Sequence, residues 1–177
     1  IVTFAKAFIK ERDDKKGNVF MQPVHRLDRQ VSGVLVMAKT SKALSRLNEQ
    51  IREKMWKKVY IAELVRPLVD KCGKLVHYLC KRQFYADCYS AKRPFSKEAI
   101  LDYKLIHDNF YEITLHTGRY HQIRAQMSFV NSPIVGDQKY KAPKKKSKKI
   151  HLHHASVTFK HPVTNKSLKI DSKPKFM

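Results

Sequence analysis

Apolar residues along this chain change their spacing in ways that separate strands from helices. The run VSGVLVMA from Val31 to Ala38 is almost continuously apolar and β-branched, which predicts a buried strand. Thr40 or Ser41 can cap the helix that follows, where Leu44, Leu47, Ile51 and Met55 recur at helical spacing. The segment KVYIAELV, residues 58–65, returns to strand character, with Tyr60, Ala62 and Leu64 on one face and Val59, Ile61 and Val65 on the other. Residues 66–97 have weak periodicity and read as irregular apart from short strands.

A hairpin follows. Ala99, Leu101, Tyr103 and Leu105 alternate, His107-Asp108-Asn109 make the turn, and Tyr111, Ile113 and Leu115 alternate again. Gly118 ends that strand. From Tyr120 to Val130 a helix places Ile123, Met127 and Val130 on one face and brings His121 and Arg124 together at i and i+3 on another. The segment KAPKKKSKK, 141–149, is too charged to pack and reads as a loop; a last strand runs from Ile150 to Phe159, closed by His161-Pro162. With no internal repeat and no second core, the pattern predicts one α+β domain over residues 1–177.

Charge narrows the partner. The 177 residues carry 37 Lys+Arg against 15 Asp+Glu, a formal charge of +22 that calls for a polyanion. Nucleic acid leads. An anionic membrane surface is the rival, but no apolar run is long enough to span a bilayer. A lysine-rich proteome would also make the surface basic without any such partner. Cys72, Cys80 and Cys88 are odd in number and form no Cys-x-x-Cys pair, so neither a disulfide framework nor a zinc ribbon is indicated, and a reducing, cytoplasmic setting fits.

Candidate chemistry starts in HRLDRQVSG, where Asp28 lies between Arg26 and Arg29. Neighbouring positive charge favours the ionised form of a carboxylate, the state a nucleophile or general base needs. A surface ion pair would look the same. The cluster HLHH, 151–154, invites a metal reading, since His151 and His153 share a strand face, but no third ligand stands at a plausible spacing.

Taken together, His-Arg-Leu-Asp-Arg with Ser32-Gly33 close behind, and much later TGRYHQIR and PIVGDQKY, resemble the RluA-type pseudouridine synthases from about Gly17 to about Pro162. The resemblance implies an α+β catalytic domain with a mixed, largely antiparallel sheet, flanking helices and a central basic cleft. It implies isomerisation of uridine in ribosomal or transfer RNA: uracil is detached from C1′, turned and rejoined through C5. Neither a metal nor another cofactor is called for, and the chain is expected to act as a monomer with RNA as its partner. The same resemblance makes Asp28 the catalytic carboxylate, Tyr60 the aromatic that stacks on uracil with its hydroxyl near C5, and Arg124 the partner of the aspartate. Tyr60 as a half-buried strand aromatic and Arg124 as a solvated helix residue are the plainer readings. Arg26, Arg29, Arg119 and His121 are candidates for RNA backbone contacts. So are Lys144, Lys145 and Lys146, although a charge run is as often an ordinary solvated loop.

Several positions depart from the family's common pattern: Val31 where Thr is frequent, Gln126 where His is, Asn131 where Gly is, and His154 where Ala is. The stretch before Asp28 is also short, lacking the upstream strand and Lys-Pro turn usual in the family, so a fragment is expected. A non-catalytic RNA-binding or ribosome-assembly protein is the alternative function, though it would have no need of an Asp28, Tyr60 and Arg124 trio.

Overall fold

A computed structural model describes residues 1–144 and 149–177. In chain order the elements are helix α1 (Val2–Arg12), strands β1 (Gln22–Pro23), β2 (Ser32–Gly33) and β3 (Met37–Ala38), helix α2 (Ser41–Arg52), and strands β4 (Lys57–Glu63), β5 (Cys72–Lys81), β6 (Ala86–Tyr89), β7 (Lys97–His107) and β8 (Phe110–Leu115). Helix α3 (Gln122–Phe129), a 3-10 turn (Gln138–Tyr140), β9 (Leu152–Lys160) and β10 (Ser167–Asp171) complete them. The main sheet runs β10-β9-β4-β8-β7-β5-β6, antiparallel throughout, and β2 joins β9 in parallel. This is the expected α+β fold with a mixed, largely antiparallel sheet.

Alternation explains the sheet's inner face. In the β7–β8 hairpin Leu101 opposes Leu115, Tyr103 opposes Ile113 and Leu105 opposes Tyr111, so the apolar set of both strands falls on one side. Asp108 turns the chain with a left-handed φ of 45°, a conformation its short polar side chain tolerates. Tyr60, Ala62 and Leu64 of the β4 segment join that face, and Ile123 and Met127 of α3 pack onto it. Beside them Leu44, Leu47 and Ile51 of α2 cover Trp56, Val157 and Phe159. Thr40 caps α2 as expected, its Oγ1 accepting from Ala43 N at 3.1 Å.

A bulge keeps β9 in step with this face. Tyr60 opposes His154 while Val59 opposes Ser156, so Ala155 is the extra residue. Strict alternation would send Leu152 and Val157 to opposite sides. The bulge offsets it, and Leu152 and His154 before it share a face with Val157 and Phe159 after it.

Other expectations give way. The apolar run 31–38 is no continuous strand: only Ser32–Gly33 and Met37–Ala38 pair, with different partners. Gly33 allows the first pairing, because at its φ of 121° a Cβ would sit 2.3 Å from the carbonyl oxygen of His154. Residues 66–97 contain the ten-residue β5 as well as β6. The His77 of β5 fills a core position against Gln126 and Phe129, which breaks the apolar pattern that would announce a strand. Helix α2 ends at Arg52, so Met55 lies beyond it and is exposed. Helix α1 and strand β10 carry no clear periodic signal and were not expected.

Candidate active site

Three segments far apart in sequence meet at one edge of α3. The loop between β1 and β2 carries Asp28 and is closed by a hydrogen bond from Val31 N to Asp28 O at 2.9 Å. Helix α3 supplies Arg124, and the turn entering the 3-10 segment supplies Asp137. The Nη1 of Arg124 donates to Asp28 Oδ2 at 2.8 Å; its Nε and Nη2 donate to the two oxygens of Asp137 at 2.7 and 2.8 Å. This fork is the geometry in which arginine holds a carboxylate best. Arg124 is 5% exposed and Asp137 1%, whereas Asp28 remains 28% exposed. Burial opposes the guanidinium charge, but the hydrogen bonds and charges of Asp137 and Asp28 outweigh it and hold the group protonated. One cation between two carboxylates leaves the trio with a surplus negative charge. Asp137 takes the two-point contact, and Asp28, held by one hydrogen bond, is the member that reaches solvent.

Asp28, Arg124, Tyr60 and His121 line a small pocket, with Leu115 and Leu152 among its apolar walls. Tyr60 projects from β4 onto the inner face of the sheet. On one side its ring stacks on His154 at 4.5 Å and 19°. The imidazole of His154 is fully buried and donates from Nδ1 to Val34 O at 2.7 Å. Burial, and secondarily the charge of Asp28, push the Tyr60 phenol well above its usual range, so it stays protonated.

The remaining expected site residues divide. Arg26 and Arg119 border the pocket, although Arg119 already donates from Nε to Glu98 O at 2.8 Å. Arg29 is exposed and outside the pocket lining, and the ion pair to Asp28 comes from Arg124 rather than from Arg26 or Arg29. His121 is buried in the network instead of facing outward: its Nε2 is 3.2 Å from Arg124 Nη1, and its Nδ1 is 2.9 Å from Tyr140 Oη. Lys144 is exposed, while Lys145 and Lys146 lie outside the described residues.

Asp137, Tyr140 and Gln122 escaped the sequence reading. Gln122 fastens the start of α3, its Oε1 accepting from Thr117 Oγ1 and Arg119 N at 2.8 and 3.0 Å. A signal for Asp137 existed, since an arginine with five donors buried on a helix needs more than one half-exposed carboxylate. The histidines of HLHH are each engaged elsewhere: His151 pairs with Glu63 and stacks on Phe176, and His153 meets Ser32 Oγ at 2.8 Å. Among the described residues no group of three or more His, Cys, Asp or Glu could hold a metal ion. No helix among them is long and apolar enough to cross a membrane.

Known proteins share both the sequence and the fold. The chain is 36% identical over 166 residues to the ribosomal large subunit pseudouridine synthase C of Buchnera aphidicola, an alignment covering 86% of this chain and 53% of that protein. It is 30% identical to the dual-specificity RNA pseudouridine synthase RluA of Haemophilus ducreyi, over 89% of this chain and 75% of the other. The chain thus spans about half the length of relatives such as the Buchnera protein. The human RNA pseudouridylate synthase domain containing 4 superposes with a TM-score of 0.80 at 23% identity, covering 97% of this chain and 78% of that one, which shows the common fold. Residues 3–129 match the RNA pseudouridylate synthase family, and with relatives of the RluA type at 30% and 31% identity the chain belongs to that family.

Proposed function

We propose that this chain isomerises uridines in ribosomal or transfer RNA to pseudouridine, with Asp28 as the catalytic carboxylate. The observation that carries the reading is the asymmetric pairing of Arg124, which is anchored on buried Asp137 by two hydrogen bonds and holds Asp28 by one at the pocket. Such a carboxylate can act at the ribose or the base while the cation beside it steadies developing charge. Tyr60 lines the same pocket as Asp28, and its ring is the surface on which the uracil stacks. Leu115 and Leu152 exclude water from the detached base.

A uridine in folded RNA must leave its stack to reach Asp28, at a cost of a few kcal/mol. Phosphate contacts from Arg26, Arg29, Arg119 and the lysines at 144–146 offset that cost, drawing on the formal charge of +22. RNA is the only partner this scheme needs. It requires no metal or redox group, and the chain acts as a monomer in the cytoplasm. The decisive experiment maps pseudouridine across total cellular RNA with and without the gene. A site lost on deletion and restored by the parent chain, but not by Asp28→Asn, supports the reading. An unchanged map points to an RNA-binding protein that retains the fold.

A further inference from the structure

We propose that Lys58 is a substrate-binding residue of this site, its ammonium taking a phosphodiester oxygen of the RNA beside the target uridine. The proposal rests on the pseudouridine synthase reading and names a contact that seats the backbone once the base has entered the pocket. Lys58 stands two residues before Tyr60 on β4, so both side chains leave the same face of the strand. Directly across from it is Leu115, a wall of the pocket.

Two loops fix where that ammonium lies. Gly118, next to Arg119, comes so close that a Cβ built on it would sit 3.3 Å from Lys58 Nζ. His25, next to Arg26, also feels Lys58: its imidazole is held low chiefly by burial, then by His154 and by the Lys58 charge. Arg26 and Arg119 both border the pocket, and Lys58 falls between the loops that carry them.

The ammonium is half-buried and unmatched. Burial draws it below its ordinary 10.5, and among the described residues no carboxylate or hydrogen bond offsets that cost. Buried charges are ordinarily paired, so an unpaired cation beside a pocket marks the place of an anion supplied from outside. His25 does not share this role, because its Nε2 accepts from Val36 N at 3.1 Å and the ring is neutral.

Gly118 keeps the place clear. Its φ is not in the left-handed region, so the backbone there does not require glycine. Lys58 Nζ is the only heavy atom beyond its chain neighbours, among the described residues, that its Cβ would meet within 4 Å. Without a side chain at 118 the ammonium stays uncovered. A phosphate oxygen suits it better than a uracil carbonyl, since a full negative charge forms the stronger hydrogen bond and offsets the desolvation.

The test uses ribosomal and transfer RNA extracted from cells lacking the gene. Single-turnover pseudouridine formation is measured over a range of enzyme and salt concentrations for the parent chain, Lys58→Met, Gly118→Ala and the double variant, alongside urea unfolding. Lys58→Met should raise the half-saturating enzyme concentration about tenfold, the loss expected for one charged hydrogen bond, and leave the rate at saturation near the parent's. The slope of log affinity against log salt should shrink by about 0.7. Its urea midpoint should equal or exceed the parent's, because methionine fills the space without an unpaired charge. Gly118→Ala should weaken binding about threefold alone and add nothing to Lys58→Met, since it acts through the ammonium. An unchanged half-saturation in Lys58→Met overturns the proposal, and so does a lowered urea midpoint, which marks a structural lysine. An unchanged salt slope, which places the ammonium on a neutral group of the base, or additive effects of the two substitutions, overturn it as well. A parent chain that makes no pseudouridine removes the pseudouridine synthase reading itself, and because that failure shows in the parent the two are distinct.

Discussion

Arg124 faces two carboxylates that differ in every respect but chemistry. Asp137 is 1% exposed and takes two hydrogen bonds; Asp28 is 28% exposed and takes one. On the proposed reading the buried carboxylate anchors and the open one reacts. An arginine paired only with Asp28 would neutralise the group it is meant to support, whereas one fixed first by Asp137 leaves Asp28 its charge.

The sharpest way to break this contrast is to change each side alone. Asp28→Asn should slow pseudouridine formation by about 10³-fold or more while leaving RNA affinity and folding near the parent's, as read by a product assay, a binding titration and urea unfolding. Asp137→Ala should instead strip Arg124 of its buried anchor and lower unfolding stability by about 3–5 kcal/mol. Equal destabilisation by the two variants would erase the distinction between anchor and reactant.

Acid should destabilise the fold through its buried histidines. His25, His121 and His154 are all lowered to about 4, in each case chiefly by burial. The unfolded chain therefore binds more protons than the folded one between about pH 4 and the ordinary histidine range near 6.5. Stability should rise with pH across that window and fall on acidification through it. Urea midpoints measured at pH 7, 6 and 5 check the sign, and His154→Phe should flatten the trend. A midpoint that stays level over this range would contradict the buried, neutral state of these rings.

Smaller effects refine the picture. Tyr60→Phe keeps the ring on His154 and loses only the hydroxyl, so a rate loss of about tenfold with normal RNA affinity is expected in single-turnover kinetics. Changing Lys144, Lys145 and Lys146 to Ser should reduce the slope of log affinity against log salt by about 2, at roughly 0.7 for each single-stranded phosphate contact. The chemical step should be unaffected. A salt series in which the slope does not move would leave these lysines as plain solvated charge.

What the sequence revealed depended on how local the signal was. The β7–β8 hairpin was legible because both strands keep strict alternation around a turn with Asp108, and α2 because its cap and apolar stripe are contiguous. His121 and Arg124 were legible as neighbours from helical spacing, although α3 begins only at Gln122 and His121 precedes it with a left-handed φ of 52°. β5 hid behind Gly73 and His77, whose places in the sheet depend on partners elsewhere in the chain. The run 31–38 misled for the opposite reason, since its apolar side chains are mostly half-buried against the core without forming a continuous ladder. Asp137 was visible as a residue but not as an anchor, because its role exists only where α3 and the 3-10 turn meet.

The parallel pairing of β2 with β9 has a consequence for the order in which the protein is made. Ser32 and Gly33, just past Asp28, rest on His153 and His154, and Val34 N donates to His154 O at 2.9 Å. The loop that carries the carboxylate is therefore held on that side by a segment synthesised more than a hundred residues later. Until β9 leaves the ribosome, β4 presents an unpaired edge, Leu152 is missing from the pocket wall, and the Asp28 loop lacks its support on the β2 side. A nascent chain carries Asp28 from early in translation but has no complete pocket around it until β9 has been made and has docked.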